Sequence, residues 1–138
     1  MEIGQRLVYK NKRFAVLTPF ASRFPFETMI VPLEHSAFYR NISDQDTLAL
    51  AEALQQSLAR LKVQLSDPAF NLVLHHSPNP QVSDKAWPGI ENYYHWHLEV
   101  MPILTKVAGF ELGTGFYINP VPPEVAAEYL KNTTFSKS

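Results

Sequence analysis

Eleven prolines cut the chain into short intervals, so most of it can form only short strands, turns and brief helices. The long interval between Pro32 and Pro68 is the exception. There Ser43 followed by Asp46 reads as a helix start of the capping-box type, the shorter Asp standing in for Glu or Gln. Leu50, Leu54, Leu58, Leu61 and Leu65 then recur at steps of three and four, one stripe of a helix ending near Ser66-Asp67-Pro68. Such a stripe needs a sheet to lie against.

The other intervals supply the strands. Arg6-Leu7-Val8-Tyr9-Lys10 and Phe14-Ala15-Val16-Leu17-Thr18, separated by Asn11-Lys12-Arg13, read as a hairpin. Glu27-Thr28-Met29-Ile30-Val31-Pro32 gives a third strand after a corner bounded by Pro19 and Pro25, and Phe70-Asn71-Leu72-Val73-Leu74-His75-His76 a fourth. The Pro/Asn/Ser-rich stretch at 77–92 is long for a loop, which marks it as functional or mobile. Trp87 within it is either a base-stacking side chain or a loop anchor. Phe116-Tyr117-Ile118 reads as a further short strand, and Pro122-Pro123-Glu124 opens a last helix with Val125, Ala126, Tyr129 and Leu130 inward.

Tyr93-Tyr94-His95-Trp96-His97-Leu98-Glu99-Val100-Met101-Pro102 is the segment with chemistry in it. On a strand, residues two apart share a face, so Tyr93, His95, His97, Glu99 and Met101 point one way and Tyr94, Trp96, Leu98 and Val100 the other. Trp96 is therefore expected in the core. Two imidazoles and a carboxylate on one rigid strand suit metal ligation through neutral ring nitrogens. They equally suit nucleophilic attack on phosphorus by one imidazole whose other nitrogen is held as N–H. Spacing alone leaves both open.

Composition removes other classes. With no cysteine, disulfides, thiolate ligands and a cysteine nucleophile are excluded, so any metal must be held by His and carboxylate. A net charge of −1 with no Lys/Arg run gives no footprint for nucleic acid or anionic lipid. No apolar run approaches the length of a membrane span, and no leader pattern opens the sequence, so a cytoplasmic location is expected. The 138 residues suffice for one core and one domain.

Residues Tyr94 to Pro102, followed by Ala108-Gly109-Phe110-Glu111-Leu112-Gly113-Thr114-Gly115-Phe116-Tyr117-Ile118-Asn119-Pro120, resemble the C-terminal half of galactose-1-phosphate uridylyltransferases of the histidine-triad superfamily. The likeness continues upstream through Pro19-Phe20-Ala21-Ser22-Arg23-Phe24-Pro25-Phe26-Glu27-Thr28, Pro32-Leu33-Glu34-His35 and Asn71-Leu72-Val73-Leu74-His75. It implies an α+β, HIT-like domain over residues 1–132, with a mainly antiparallel sheet of five to six strands, one long helix and a C-terminal helix. A polar tail, 133–138, would follow.

The function implied is that of one half of a nucleotidyltransferase that binds a nucleotide-sugar or sugar phosphate. Its expected partners are a second copy or a separate catalytic half, with neither nucleic acid nor membrane. The resemblance puts His97 at the nucleophile position and Glu99 where the superfamily carries its third histidine; the His-Pro-His-Gly-Gln sequence of the catalytic half is absent. For zinc it points to His35 and His95, without the Cys-x-x-Cys pair that completes the site in relatives, and for a structural iron or zinc to His75, His95 and His97, without the carboxylate that the other half gives; His35, His75 and His95 are the ligands expected. Lys106, Gly109, Phe110 and Glu111 match a stretch that contacts the hexose, and Asn71 is a candidate for a ribose or phosphate oxygen. The alternative is a non-catalytic half whose histidines hold a metal or pack an interface.

Overall fold

A computed structural model describes residues 3–79 and 87–135. Five strands, β1 (Leu7–Lys10), β2 (Phe14–Leu17), β3 (Thr28–Pro32), β4 (Phe70–His75) and β5 (His97–Pro102), form one sheet in the order β1-β2-β3-β5-β4. Every neighbouring pair is antiparallel. Among the described residues three α-helices accompany them: α1 (Asp44–Gln64), α2 (Gly109–Thr114) and α3 (Pro123–Lys131). The fold is α+β, as the sequence indicated.

The start of α1 explains how Asp can stand in a capping box. Ser43 Oγ accepts from the Asp46 backbone N–H at 3.1 Å, and Ser43 Oγ donates to Asp46 Oδ2 at 2.6 Å. The short carboxylate thus takes the cap hydroxyl rather than reaching back to the cap N–H. The helix packs on β1, β2 and β3. Leu50, Ala53 and Leu61 are buried, with Leu54, Leu58 and Leu65 packed against that core. Ser57 is buried too, bonded to Thr28 Oγ1 at 3.1 Å, so one polar pair is satisfied inside the helix–sheet seam.

Core positions follow the expected alternation. Trp96, Leu98 and Val100 are buried, and the Trp96 ring meets Phe14 at 5.8 Å and Tyr39 at 5.1 Å. Burying Val16, Ile30 and Val100 contributes about 1.5–3 kcal/mol each from apolar surface withdrawn from water.

Three expectations need correction. Residues 116–118 form no strand: Gly115 turns the chain with φ 74°, and Phe116, Tyr117 and Ile118 run exposed with no neighbouring strand to pair with. In α3 the buried face is Ala126, Ala127 and Leu130, while Val125 and Tyr129 are exposed. The helix lies against β1, α1 and the turn Ile3–Arg6, and Ala127 and Leu130 join the same core as Leu50, Ala53 and Leu61. Finally, β5 begins at His97, because a turn at Ile90–Asn92 delivers the chain to the sheet only there. Residues 93–96 therefore have no strand partner, although Trp96 keeps its inward direction.

Of the stretch 77–92, residues 80–86 lie outside the described part, and Trp87 is exposed. The tail expected at 133–138 is described as far as Phe135, whose ring lies against the Arg60 guanidinium at 5.1 Å. Among the described residues no helix is long and apolar enough to cross a membrane.

Candidate functional site

The register of β4 on β5 assembles the site. His75 lies opposite His97, Val73 opposite Glu99 and Asn71 opposite Met101, so all six share the face turned away from Leu98 and Val100. Directly opposed residues of an antiparallel pair are close enough for side chains to touch. The His75 and His97 rings stack at 4.8 Å with an interplanar angle of 16°. His75 also reaches diagonally to Glu99, its Nε2 lying 2.9 Å from Oε2.

Partner atoms fix the protons. His97 Nδ1 is 3.1 Å from the carbonyl oxygen of His95. A carbonyl only accepts, so Nδ1 carries the hydrogen, and in the neutral ring Nε2 keeps its lone pair. That nitrogen is 4.0 Å from Glu99 Oε1, too far for a hydrogen bond, and it remains unengaged by that carboxylate. A carboxylate likewise only accepts, so His75 donates from Nε2 to Glu99. Glu99 itself is only 13% exposed, His97 22% and His75 36%, which leaves the group half-buried but reachable.

Arg23 completes the arrangement. Its NH2 donates to Glu99 Oε2 at 2.8 Å, and the same nitrogen lies 3.5 Å from Met101 Sδ. The loop that carries it is firmly built. Buried Glu27 accepts from the backbone N–H of Arg23 at 2.8 Å and of Phe24 at 3.1 Å through Oε2. Asn119 Nδ2 donates to the carbonyls of Ser22 and Phe24, both at 3.2 Å. Phe26 adopts φ 60°, a left-handed conformation that a bulky side chain takes only when its surroundings hold it there. No spacing in the sequence signals that Arg23 meets Glu99; the only local hint is an arginine in a proline-bounded corner followed by Glu27.

His35 and His95 go elsewhere. They meet edge to face at 5.5 Å, and each donates from Nε2 to a backbone carbonyl at 2.8 Å, Glu91 for His35 and Pro32 for His95. Of the three ligands expected, His35, His75 and His95, the structure brings only His75 into a metal-competent group, and its companions are His97 and Glu99. One ligand atom from each of these three lies within 4.8 Å of the others. Two imidazoles and a carboxylate are the donor set of an open zinc site, and closing around an ion would bring them to about 3.3 Å from one another. The donor types and placement fit a zinc or iron ion.

Asn71 and Lys106 line one cavity of about 320 Å³ with Phe24, Met101 and Thr105, next to Arg23 through Met101. Gly109, Phe110 and Glu111 are not among its lining residues; they form the first turn of α2. A Cβ on Gly109 would meet nothing within 4 Å, so no close backbone approach occurs there within this chain. Glu111 Oε2 accepts from the Ala108 N–H at 3.2 Å, and Phe110 is exposed. Tyr94 packs against the core, and burial first, with the charge of Glu99 second, pushes its pKa above the usual tyrosine value.

No protein-family model matches the chain. It is 35% identical over 130 residues to ADP-glucose phosphorylase of Arabidopsis thaliana, covering 94% of this chain and 36% of the relative. It is 30% identical over 135 residues to galactose-1-phosphate uridylyltransferase of Thermotoga maritima, covering 94% and 41% respectively. A crystal structure of an ADP-glucose phosphorylase from Arabidopsis thaliana with bound ADP-glucose superposes with a TM-score of 0.86 at 34% identity, over 96% of this chain and 42% of that one. A HIT-like protein from Bartonella henselae shares the fold at 13% identity, with a TM-score of 0.63 over 91% of this chain and 84% of its own. The chain is thus homologous along nearly its whole length to nucleotide-sugar phosphorylases and uridylyltransferases, with a HIT-like fold. It spans about two-fifths of their length.

Proposed function

We propose that this chain is the HIT-like portion of a nucleotidyltransferase that takes a nucleotide-sugar, with His97 as the attacking group. The single observation that carries the reading is the Nδ1–H of His97 donated to the His95 carbonyl, which leaves Nε2 as a lone pair on a half-buried face. In the reaction Nε2 forms a bond to the α-phosphorus of the nucleotide-sugar, and the bond from that phosphorus to the bridging oxygen breaks. The sugar phosphate leaves with that electron pair. An acceptor phosphate oxygen then attacks the same phosphorus and returns Nε2 to its starting state. The carboxylate of Glu99, 4.0 Å from that nitrogen, offsets the positive charge the nucleotidylated imidazole carries. Lys106 and Asn71 line the adjoining cavity, and in this reading they receive phosphate and hydroxyl oxygens.

The test is intact-mass analysis at alkaline pH after mixing the chain with ADP-glucose or UDP-glucose. A nucleotidyl adduct on wild-type protein that is missing from His97→Ala supports the reading. No adduct with either sugar nucleotide, at any pH between 6 and 9, overturns it for the chain by itself.

A second reading rests on the two-fifths span and on β4. This strand has one sheet neighbour among the described residues, and Phe70, Leu72 and Leu74 on its core-side face are exposed. An open strand edge with apolar flanks favours pairing with another copy or with a separate half. Under that reading the domain is a structural or dimerising half, in which His75, His97 and Glu99 would hold a zinc or iron ion. Such an ion would supply a Lewis acid with a free coordination position.

A further inference from the structure

Glu99 is claimed twice. Its Oε2 accepts from Arg23 at 2.8 Å and from His75 at 2.9 Å, although Glu99 and His75 are two of the three donors that would hold a metal. The nitrogen His75 would offer to an ion is the one that donates its hydrogen to Glu99. An ion held through His75 Nε2 would displace the bond from His75 to Glu99, and one held through Glu99 Oε2 would displace Arg23 as well. Arg23 is no loosely attached surface group: buried Glu27 accepts from its backbone N–H, Asn119 holds the carbonyls of the residues on either side, and Phe24 packs edge-on against Tyr117 at 5.2 Å.

We propose that Arg23 is a built-in cation that competes with a divalent metal for Glu99 and so sets whether the His75–His97–Glu99 group carries an ion. This rests on the reading that the group is metal-competent. The planar donors of the guanidinium match a carboxylate better than an ammonium does. An ion coordinated by Glu99 would add a second positive charge beside the guanidinium already paired with that carboxylate, and the two like charges would repel. The Arg23 side chain is 41% exposed, so it can swing outward without opening the core. A soluble-phase Zn²⁺ or Fe²⁺ therefore meets a site whose donors are present but whose charge is already balanced.

The experiment is zinc titration of the chelator-stripped chain, read by competition with a colorimetric chelator and by elemental analysis after desalting. Arg23→Gln should bind one zinc at least about ten-fold more tightly than wild type, the effect of deleting one nearby positive charge. Arg23→Lys should stay near wild type, and adding Glu99→Gln to Arg23→Gln should abolish the gain. Equal one-to-one affinity in wild type and Arg23→Gln, lost on Glu99→Gln, overturns the competition while leaving the metal group standing. No zinc bound by any variant overturns the metal group and the competition together. A readout on the unaltered chain guards against a variant that fails to fold: zinc should abolish the slowed exchange of the Arg23 guanidinium protons in NMR spectra. Their persistence in a zinc-loaded sample overturns the proposal.

Discussion

Two histidine pairs each take one member from the short stretch His95–His97, and they do opposite things. His35 and His95 meet edge to face at 5.5 Å with each Nε2 donated to a backbone carbonyl. His75 and His97 stack at 4.8 Å over a carboxylate and a guanidinium, and the His97 Nε2 is left undonated. What separates strut from reactive group is the partner atom. A ring whose Nε2 is bound to a main-chain oxygen has that nitrogen occupied. A ring held through Nδ1 presents Nε2 with its lone pair.

The largest effect that can break this contrast is on adduct formation. His97→Ala should lower nucleotidylation at least about a thousand-fold, the scale of removing a nucleophile. His95→Ala should lower it less than about ten-fold, because the oxygen that holds the His97 ring belongs to the backbone and survives the change. Rapid-quench mass measurements with a sugar nucleotide decide it; comparable losses in the two variants would erase the distinction between the pairs.

Stability should run the other way, with smaller magnitudes. His95→Ala leaves the Pro32 carbonyl without its donor and removes a ring from a partly buried site, a cost of about 1–2 kcal/mol. His75→Ala removes a partly exposed ring and one hydrogen bond to Glu99, worth about 0.5 kcal/mol or less at so exposed a position. Urea unfolding monitored by tryptophan fluorescence measures both. A larger loss in His75→Ala than in His95→Ala would make the stacked pair the structural one.

The contrast between the pairs was only half legible in the sequence. Period-two patterning placed Trp96, Leu98 and Val100 inward and His97 and Glu99 outward, and it did so because a buried sheet face allows no slip of register. The same pattern, extended to Tyr93, put His95 beside His97. Where a strand begins is decided by the turn that delivers it and the neighbours available, and here Ile90–Asn92 releases the chain to the sheet only at His97. Helix α1 was readable from Ser43 because cap and stripe agree. The inward face of α3 was not, since Ala126, Ala127 and Leu130 are buried while the more apolar or larger Val125 and Tyr129 are exposed, a choice that hydrophobicity alone misjudges. Arg23 lies 76 residues from Glu99 and arrives through a corner held by Glu27, Asn119 and the left-handed Phe26. Contacts made by tertiary geometry of that kind leave no local period to read.

Tyr94 sharpens the comparison by the smallest margin. It adjoins His95 in sequence, yet after burial the charge that lifts its pKa is that of Glu99, so it senses the reactive pair rather than its neighbour. Because the folded-state pKa lies above the ordinary value of 10.0, the folded chain holds this proton longer than the unfolded one. Stability from this group is thus whole below pH 10.0 and falls as pH rises from there through the folded-state pKa. Tyr94→Phe should flatten part of that alkaline decline. A remainder should persist from Tyr9, whose pKa is raised by burial and by Glu52. Glu99→Gln in the wild-type background should also shallow the slope, by less than Tyr94→Phe because burial, the larger cause, remains. Urea midpoints collected between pH 9 and 11 test the order. If Glu99→Gln leaves the alkaline slope unchanged, Tyr94 is coupled to its burial alone and not to the carboxylate beneath His97.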